Sequence, residues 1–306
     1  MTNQIVRHVD ASGSVRVGVR PSGHPDRVHR AEADTIAELL ELSLDELRAV
    51  VEKALGSDAE PLGRLLPPID GLTEVWASGV TYLRSNEARQ EESQVADVYA
   101  RVYEAARPEL FFKSPAWRAC GDGEPIGIRD DSEVDVPEPE LALACNASGE
   151  IVGLTVCDDV SSRSIEGENP LYLPQAKIYS GSCAIGPGIV PIWEITDVHS
   201  LDITVEVTRD GSTAWAGRTS TAKIHRDFDD LVEHLFRQSA FPQGALLSTG
   251  TGLVPELTFT LAAGDEVRIA ISSVGVLTNP VTAASEFGWL TPYPAREAPS
   301  NQAPAR

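Results

Sequence analysis

Apolar and polar residues change rhythm twice along this chain. Over residues 3–20 they alternate in short stretches such as Ser14-Val15-Arg16-Val17-Gly18-Val19. That period of two sends every second side chain to one face of a strand and predicts a hairpin. Over residues 33–54 the spacing lengthens, and Leu39, Leu40, Leu42, Leu44, Leu47, Val50 and Val51 recur at roughly helical intervals. Ser43 precedes Glu46 by three, the arrangement of a capping box, and predicts a second helix start there. Pro61, Pro67 and Pro68 then break the pattern. The break near residue 70 divides the chain into a small N-terminal α+β domain over 1–70 and a main domain over 71–306.

The main domain consists of short apolar runs separated by Gly and Pro. Strands are predicted at 141–144, 151–157, 203–207, 257–261 and 267–271, and helices at 87–107 and 227–238. Many strands, few helices and no regular alternation between them predict an α+β fold dominated by a curled or sandwiched sheet. After about residue 293 the chain is expected to be a loose tail.

Composition narrows the function classes. Apolar residues at 42% and charged residues at 23% are ordinary for a folded chain. The 46 acidic residues against 25 basic ones, net −21, argue against nucleic acid as a partner, because binding a phosphate backbone needs clustered Lys and Arg. Cys120, Cys145, Cys157 and Cys183 lack the paired spacing of a zinc site, so reduced thiols are expected. The first ten residues show no secretory pattern and no apolar run approaches membrane-spanning length, which predicts a cytoplasmic protein with no membrane partner.

The chemistry concentrates after Val136-Pro137. In Glu138-Pro139-Glu140 the prolines favour extended backbone, so the two carboxylates, two residues apart, point to one face and can meet one cation. The bland alternative is an acidic strand start in water. A second constellation, Cys157-Asp158-Asp159 leading to Arg163, follows a predicted strand, and Lys177 comes soon after. Oxygen-only ligands favour a hard ion, Mg²⁺ first, then Mn²⁺ or Ca²⁺. Three carboxylates exceed a divalent ion by about one charge, so an anionic substrate needs cations such as Arg163, Lys177 or Lys113 beside it. The six histidines lie away from these segments.

Read together, Glu-x-Glu at 138–140, Asp-x-x-x-Arg at 159–163 and then Lys177 resemble the fumarylacetoacetate hydrolase superfamily. Phe111-Phe112-Lys113-Ser114-Pro115, Ile185-Gly186-Pro187-Gly188 and Leu247-Ser248-Thr249-Gly250-Thr251-Gly252 strengthen the likeness, which runs from about residue 75 to 291. The resemblance implies a mostly β catalytic domain with a roll-like mixed sheet, a homodimer or homotetramer, and one divalent metal on Glu138, Glu140 and Asp159. Asp158 precedes the matched aspartate, and strand alternation turns it away from the metal.

One departure redirects the activity. Many hydrolases of this family carry Tyr-x-x-His near the start of the domain, whereas Tyr82-Leu83-Arg84-Ser85 ends in serine, which removes the usual water-activating histidine. The segments 75–89 and 167–177 look instead like the branch that dehydrates 2-keto-3-deoxy pentonates to 2,5-dioxopentanoate. That likeness implies a small 2-oxo sugar acid as substrate and a metal-stabilised enolate. Lys177 is then the first candidate base and Glu87 the second acid or base. Arg84, Ser85, Lys113, Arg163 and Thr251 are candidate substrate contacts. Two alternatives stay open: a metal-dependent hydrolase of acylpyruvate-like diketones, and a non-catalytic sugar-acid-binding protein.

Overall fold

The computed structural model describes residues 2–84 and 101–287. The leading alternation forms the expected hairpin, with β1 (Gln4–Val9) antiparallel to β2 (Val15–Arg20). β3 (Arg27–Arg30) follows, and the helical stretch then divides into α1 (Ile36–Leu40) and α2 (Leu44–Leu55). The Thr35 hydroxyl caps α1, and Ser43 and Glu46 form the capping box that starts α2. Ile36, Leu39, Leu40, Leu47 and Val51 form the helices' buried stripe.

β4 (Ala59–Pro61) and β5 (Arg64–Leu66) come before the expected boundary near residue 70, and β6 (Glu74–Gly79) and β7 (Glu109–Pro115) after it. β8 (Ile126–Ile128), β9 (Asp135–Val136), β10 (Pro139–Cys145), β11 (Ile151–Asp159) and β12 (Ser161–Ser162) lead to two short helices, α3 (Arg163–Glu168) and α4 (Leu173–Lys177). β13 (Cys183–Pro191), β14 (Asp202–Arg209) and β15 (Ser212–Ser220) precede α5 (Phe228–Phe236), and β16 (Ala245–Ser248), β17 (Glu266–Ile271) and β18 (Gly275–Ala283) complete the described chain.

The strands make a mostly β, mixed-sheet architecture, the expected fold class. Among the described residues an eleven-stranded sheet runs β4-β3-β2-β1-β13-β11-β10-β16-β6-β7 with β5 on β1, and a five-stranded sheet runs β15-β14-β17-β18-β8. The large sheet crosses residue 70 through the β1–β13 pair. β10 shows how its two faces are used. Leu141, Leu143 and Cys145 enter the core shared with the five-stranded sheet and α5, while Ala142 and Ala144 enter the core shared with α1 and α2. Burial on both faces explains why β10 reads as an apolar run without alternation.

The strand expected at 257–261 is a correction. Leu257 is exposed and residues 257–258 lie in a turn, with Phe259 N–H donating to the Glu256 carbonyl at 2.9 Å. Leu261 N–H donates to the Asp135 carbonyl and Arg209 Nη2 to the Thr260 carbonyl. Isolated anchors therefore hold this segment, and its apolar spacing reflects Phe259 packing on Trp215 and Leu261 entering the core. Of the helix expected at 87–107, residues 101–104 are helical, 105–107 are not, and 87–100 lie outside the described residues. The expected tail also lies outside them.

Candidate metal centre and active site

Strand register builds the site. Glu140 opposes Cys157 and Pro139 opposes Asp158 across the antiparallel β10–β11 pair. Asp159 N–H donates to the Glu138 carbonyl at 3.0 Å, carrying the ladder one residue further. Opposed residues project to the same face, so Glu138, Glu140 and Asp159 share one face and Asp158 takes the other. Carboxylate oxygens of all three lie within 4.8 Å of one another, and all three residues are buried. Asp158 instead accepts the Glu138 N–H at 3.0 Å.

Cations converge on the triad from separate elements. Lys177, at the end of α4, donates from Nζ to Glu138 Oε2 at 2.7 Å, Asp159 Oδ2 at 3.2 Å and Ser161 Oγ at 2.5 Å. Its ammonium also stands 5.6 Å from the centre of the Phe111 ring. Lys113, fully buried on β7, donates to the Val160 carbonyl at 3.0 Å and the Lys177 carbonyl at 2.6 Å, and pairs with Asp159. Arg163 Nη1 lies 3.6 Å from Glu138 Oε1, and its Nε lies 3.9 Å from Glu166 Oε2.

Glu140 is held differently. Ser248 Oγ donates to its Oε2 at 2.5 Å and Gly250 N–H donates to the same oxygen at 2.8 Å. Gly250 adopts φ 90°, and a Cβ there would meet Thr81 Oγ1, so the turn that delivers this amide requires glycine. Burial, followed by the charges of Asp159 and Glu138, raises the Glu140 pKa well above the ordinary carboxylate value. Tyr82, buried nearby, is likewise raised, by burial and then by Glu140. Three crowded carboxylates removed from water repel one another, a cost that a divalent cation offsets. Among the described residues the donor set is all oxygen, and this suits a hard ion such as Mg²⁺.

The structure thus gathers Lys113, Glu138, Glu140, Asp159, Arg163 and Lys177. Thr251 is buried in the turn after β16, where its hydroxyl accepts from Leu253 N–H at 3.1 Å and donates to the Leu253 carbonyl at 3.3 Å. Arg84 is exposed. Ser85 and Glu87 lie outside the described residues. The sequence assigned no role to Ser161, Ser248, Gly250 or Glu166, although Ser248 and Gly250 lie in the 247–252 segment that carries the likeness. Alternation along the extended chain from Asp159 points to Ser161, and helical i,i+3 spacing from Arg163 points to Glu166. Ser248 and Gly250 carried no local signal of contact with Glu140, because a separate strand brings them there.

Known proteins resemble this chain over most of its length. The family described as fumarylacetoacetate (FAA) hydrolase C-terminal matches residues 74–282. The "Probable 2-keto-3-deoxyxylonate dehydratase" of Haloferax volcanii is 47% identical over 249 residues, 81% of this chain and 86% of that protein. The 2-dehydro-3-deoxy-D-arabinonate dehydratase of Saccharolobus solfataricus is 45% identical over 222 residues, 71% of this chain and 74% of that protein. A solved structure of 2-keto-3-deoxy-D-arabinonate dehydratase complexed with magnesium and 2,5-dioxopentanoate superposes with a TM-score of 0.78 at 36% identity, covering 92% of this chain and 99% of that one.

Proposed function

We propose, from the premise that the chain belongs to the fumarylacetoacetate hydrolase family, that it is a divalent-metal-dependent hydro-lyase converting a 2-keto-3-deoxy pentonate to 2,5-dioxopentanoate. The observation that carries this reading is the buried triad of Glu138, Glu140 and Asp159 with Lys177 in direct contact with two of its members. The dehydratase relatives supply the substrate class.

In this reading Glu138, Glu140 and Asp159 hold the ion, Mg²⁺ first and Mn²⁺ or Ca²⁺ as substitutes. When bound, the ion stabilises negative charge developing on the C2 oxygen of the substrate. Lys177, after giving up its own proton, removes a proton from C3. The C4 hydroxyl leaves as water after taking a proton, and a proton shift from C5 turns the terminal alcohol into the aldehyde. Glu87 is assigned to the departing hydroxyl, with Arg84 and Ser85 beside it. Arg163 draws in the substrate carboxylate. Lys113 spends its donors on Asp159 and two carbonyls, so its role is to fix Asp159 and the Lys177 backbone. Thr251 keeps the Gly250 turn in shape for Glu140.

Two further assignments belong to the proposal. Cys120, Cys145, Cys157 and Cys183 are buried and form no disulfide among the described residues, which agrees with a reducing cytoplasm. No helix among the described residues is long and apolar enough to cross a membrane. Exposed Leu83, Trp117 and Leu171 offer apolar surface for a homodimer or homotetramer.

The test is to incubate purified protein and Mg²⁺ with a panel of 2-keto-3-deoxy pentonates and acylpyruvates, followed by mass spectrometry. Loss of one water from a pentonate, with 2,5-dioxopentanoate as product, is the expected result. Release of pyruvate from acylpyruvates with the pentonates untouched overturns it, and so does tight binding of sugar acids without turnover.

A further inference from the structure

We infer that Glu166 sets the charge of this site so that it accepts a 2-oxo acid with one carboxylate and an uncharged tail, and discriminates against one carrying a second carboxylate. The inference rests on the proposed 2-oxo acid substrate and adds the group that selects its tail. Its origin is the unusual composition of α3. The residues that this six-residue helix buries are Arg163 and Glu166, both charged. They stand three apart, on one face, and that face meets the triad through Arg163 and Glu138.

Packing alone does not account for Glu166. Its relative exposure is 2%, and replacing a buried ion pair by apolar residues of similar volume is often neutral or stabilising. Nor is it a ligand of the cation, since the acids whose oxygens converge among the described residues are Glu138, Glu140 and Asp159. Glu166 instead stands 3.9 Å from Arg163 Nε.

The formal charges give it a purpose. Glu138, Glu140, Asp159 and Glu166 contribute four negative charges, and Lys113, Lys177 and Arg163 contribute three positive ones. With a divalent ion, and Lys177 as the ammonium it is before it acts as a base, the sum is plus one, which a monoanion neutralises. Without Glu166 the sum is plus two, which matches a dianion. The difference is one charge whichever protonation state Lys177 takes. One charge at about 8–12 Å and an effective dielectric of about 20 changes the relative affinity for mono- and dianionic ligands roughly ten- to thirtyfold.

The experiment measures binding of 2-oxopentanoate and 2-oxoglutarate, five-carbon 2-oxo acids that differ by a terminal carboxylate, to the Mg²⁺-loaded protein by calorimetry. The unaltered protein is expected to prefer 2-oxopentanoate. Glu166→Gln moves the affinity ratio at least tenfold toward 2-oxoglutarate, whereas Glu166→Asp, which keeps the charge, leaves it within about threefold. A purely structural role predicts that both affinities change together. An unchanged ratio in Glu166→Gln overturns the inference. So does an unaltered protein that binds 2-oxoglutarate as tightly as 2-oxopentanoate, a result that needs no variant to fold. Intact pentonate turnover alongside either result sinks this inference alone; absent turnover with the discrimination intact sinks the dehydratase reading instead.

Discussion

Asp158 and Asp159 are adjacent and equally deprived of water, yet the two faces of β11 give them opposite surroundings. On the face shared with Glu138 and Glu140, Asp159 meets Lys113 and Lys177 and shares the place where a cation fits. On the other face Asp158 has one backbone donor at Oδ1, while Oδ2 is buried with no hydrogen-bond partner among the described residues. Burial lifts the Asp158 pKa to about 7. The contrast teaches that direct ion pairs with Lys113 and Lys177 set Asp159 apart, whereas Asp158 and Glu140, held by hydrogen bonds, are both pushed by burial toward the neutral form.

The strongest way to break this contrast is to remove the cation that joins the triad. Lys177→Met, similar in length, is expected to lower turnover about a thousandfold, the scale on which a positioned base acts. Mg²⁺ binding should be no weaker, because Lys177 occupies Glu138 Oε2 and Asp159 Oδ2 in competition with the ion. Steady-state kinetics beside metal titration reads both quantities. Activity retained within tenfold removes Lys177 from the proton transfer.

A weaker intervention touches the support of a ligand. Ser248→Ala leaves Gly250 N–H as the remaining donor to Glu140 Oε2. Loss of such an outer partner commonly weakens metal affinity about ten- to a hundredfold. Calorimetric Mg²⁺ titration is the check, and turnover at saturating metal should fall by a smaller factor. Unaltered metal affinity means that Glu140 is not among the ligands.

The same contrast shows what a linear reading can reach. Extended backbone at Glu138-Pro139-Glu140 and a period of two at Asp158-Asp159 were enough to place three carboxylates on one face, because strand geometry is local. The capping box at Ser43 and the helix begun by Asp227 were legible for the same reason. β13 was not. Its Cys-Ala-Ile-Gly-Pro-Gly-Ile-Val-Pro sequence has the Gly and Pro content of a turn, yet it forms a fully buried strand between β1 and β11. Residues 257–261 failed in reverse, with strand-like spacing but contacts to Asp135 and Arg209 that only the fold supplies. Ser248 and Gly250 reach Glu140 through the β10–β16 pairing, a long-range register that no local period announces.

The smallest expected effect on catalysis, and the sharpest test of the two faces, is Asp158→Asn. Asparagine keeps an acceptor for Glu138 N–H, so turnover should stay within about twofold, as expected of a group outside the reacting centre. Stability should respond instead. The folded carboxyl is raised from 3.8 to about 7, so between those values the native state keeps a proton that the unfolded chain has released. Stability of the metal-free protein from this group is therefore fully present below about pH 4, is lost as pH rises toward 7, and is flat above it. The amide that replaces the carboxyl does not titrate. The melting temperature of the variant relative to the unaltered protein should thus increase between pH 5 and pH 8, by a difference on the order of 2 kcal/mol in stability. Thermal melts of both proteins without metal measure that slope. A gap that narrows with rising pH means that Asp158 is held as a charged group, and the two faces of β11 then treat their carboxylates alike.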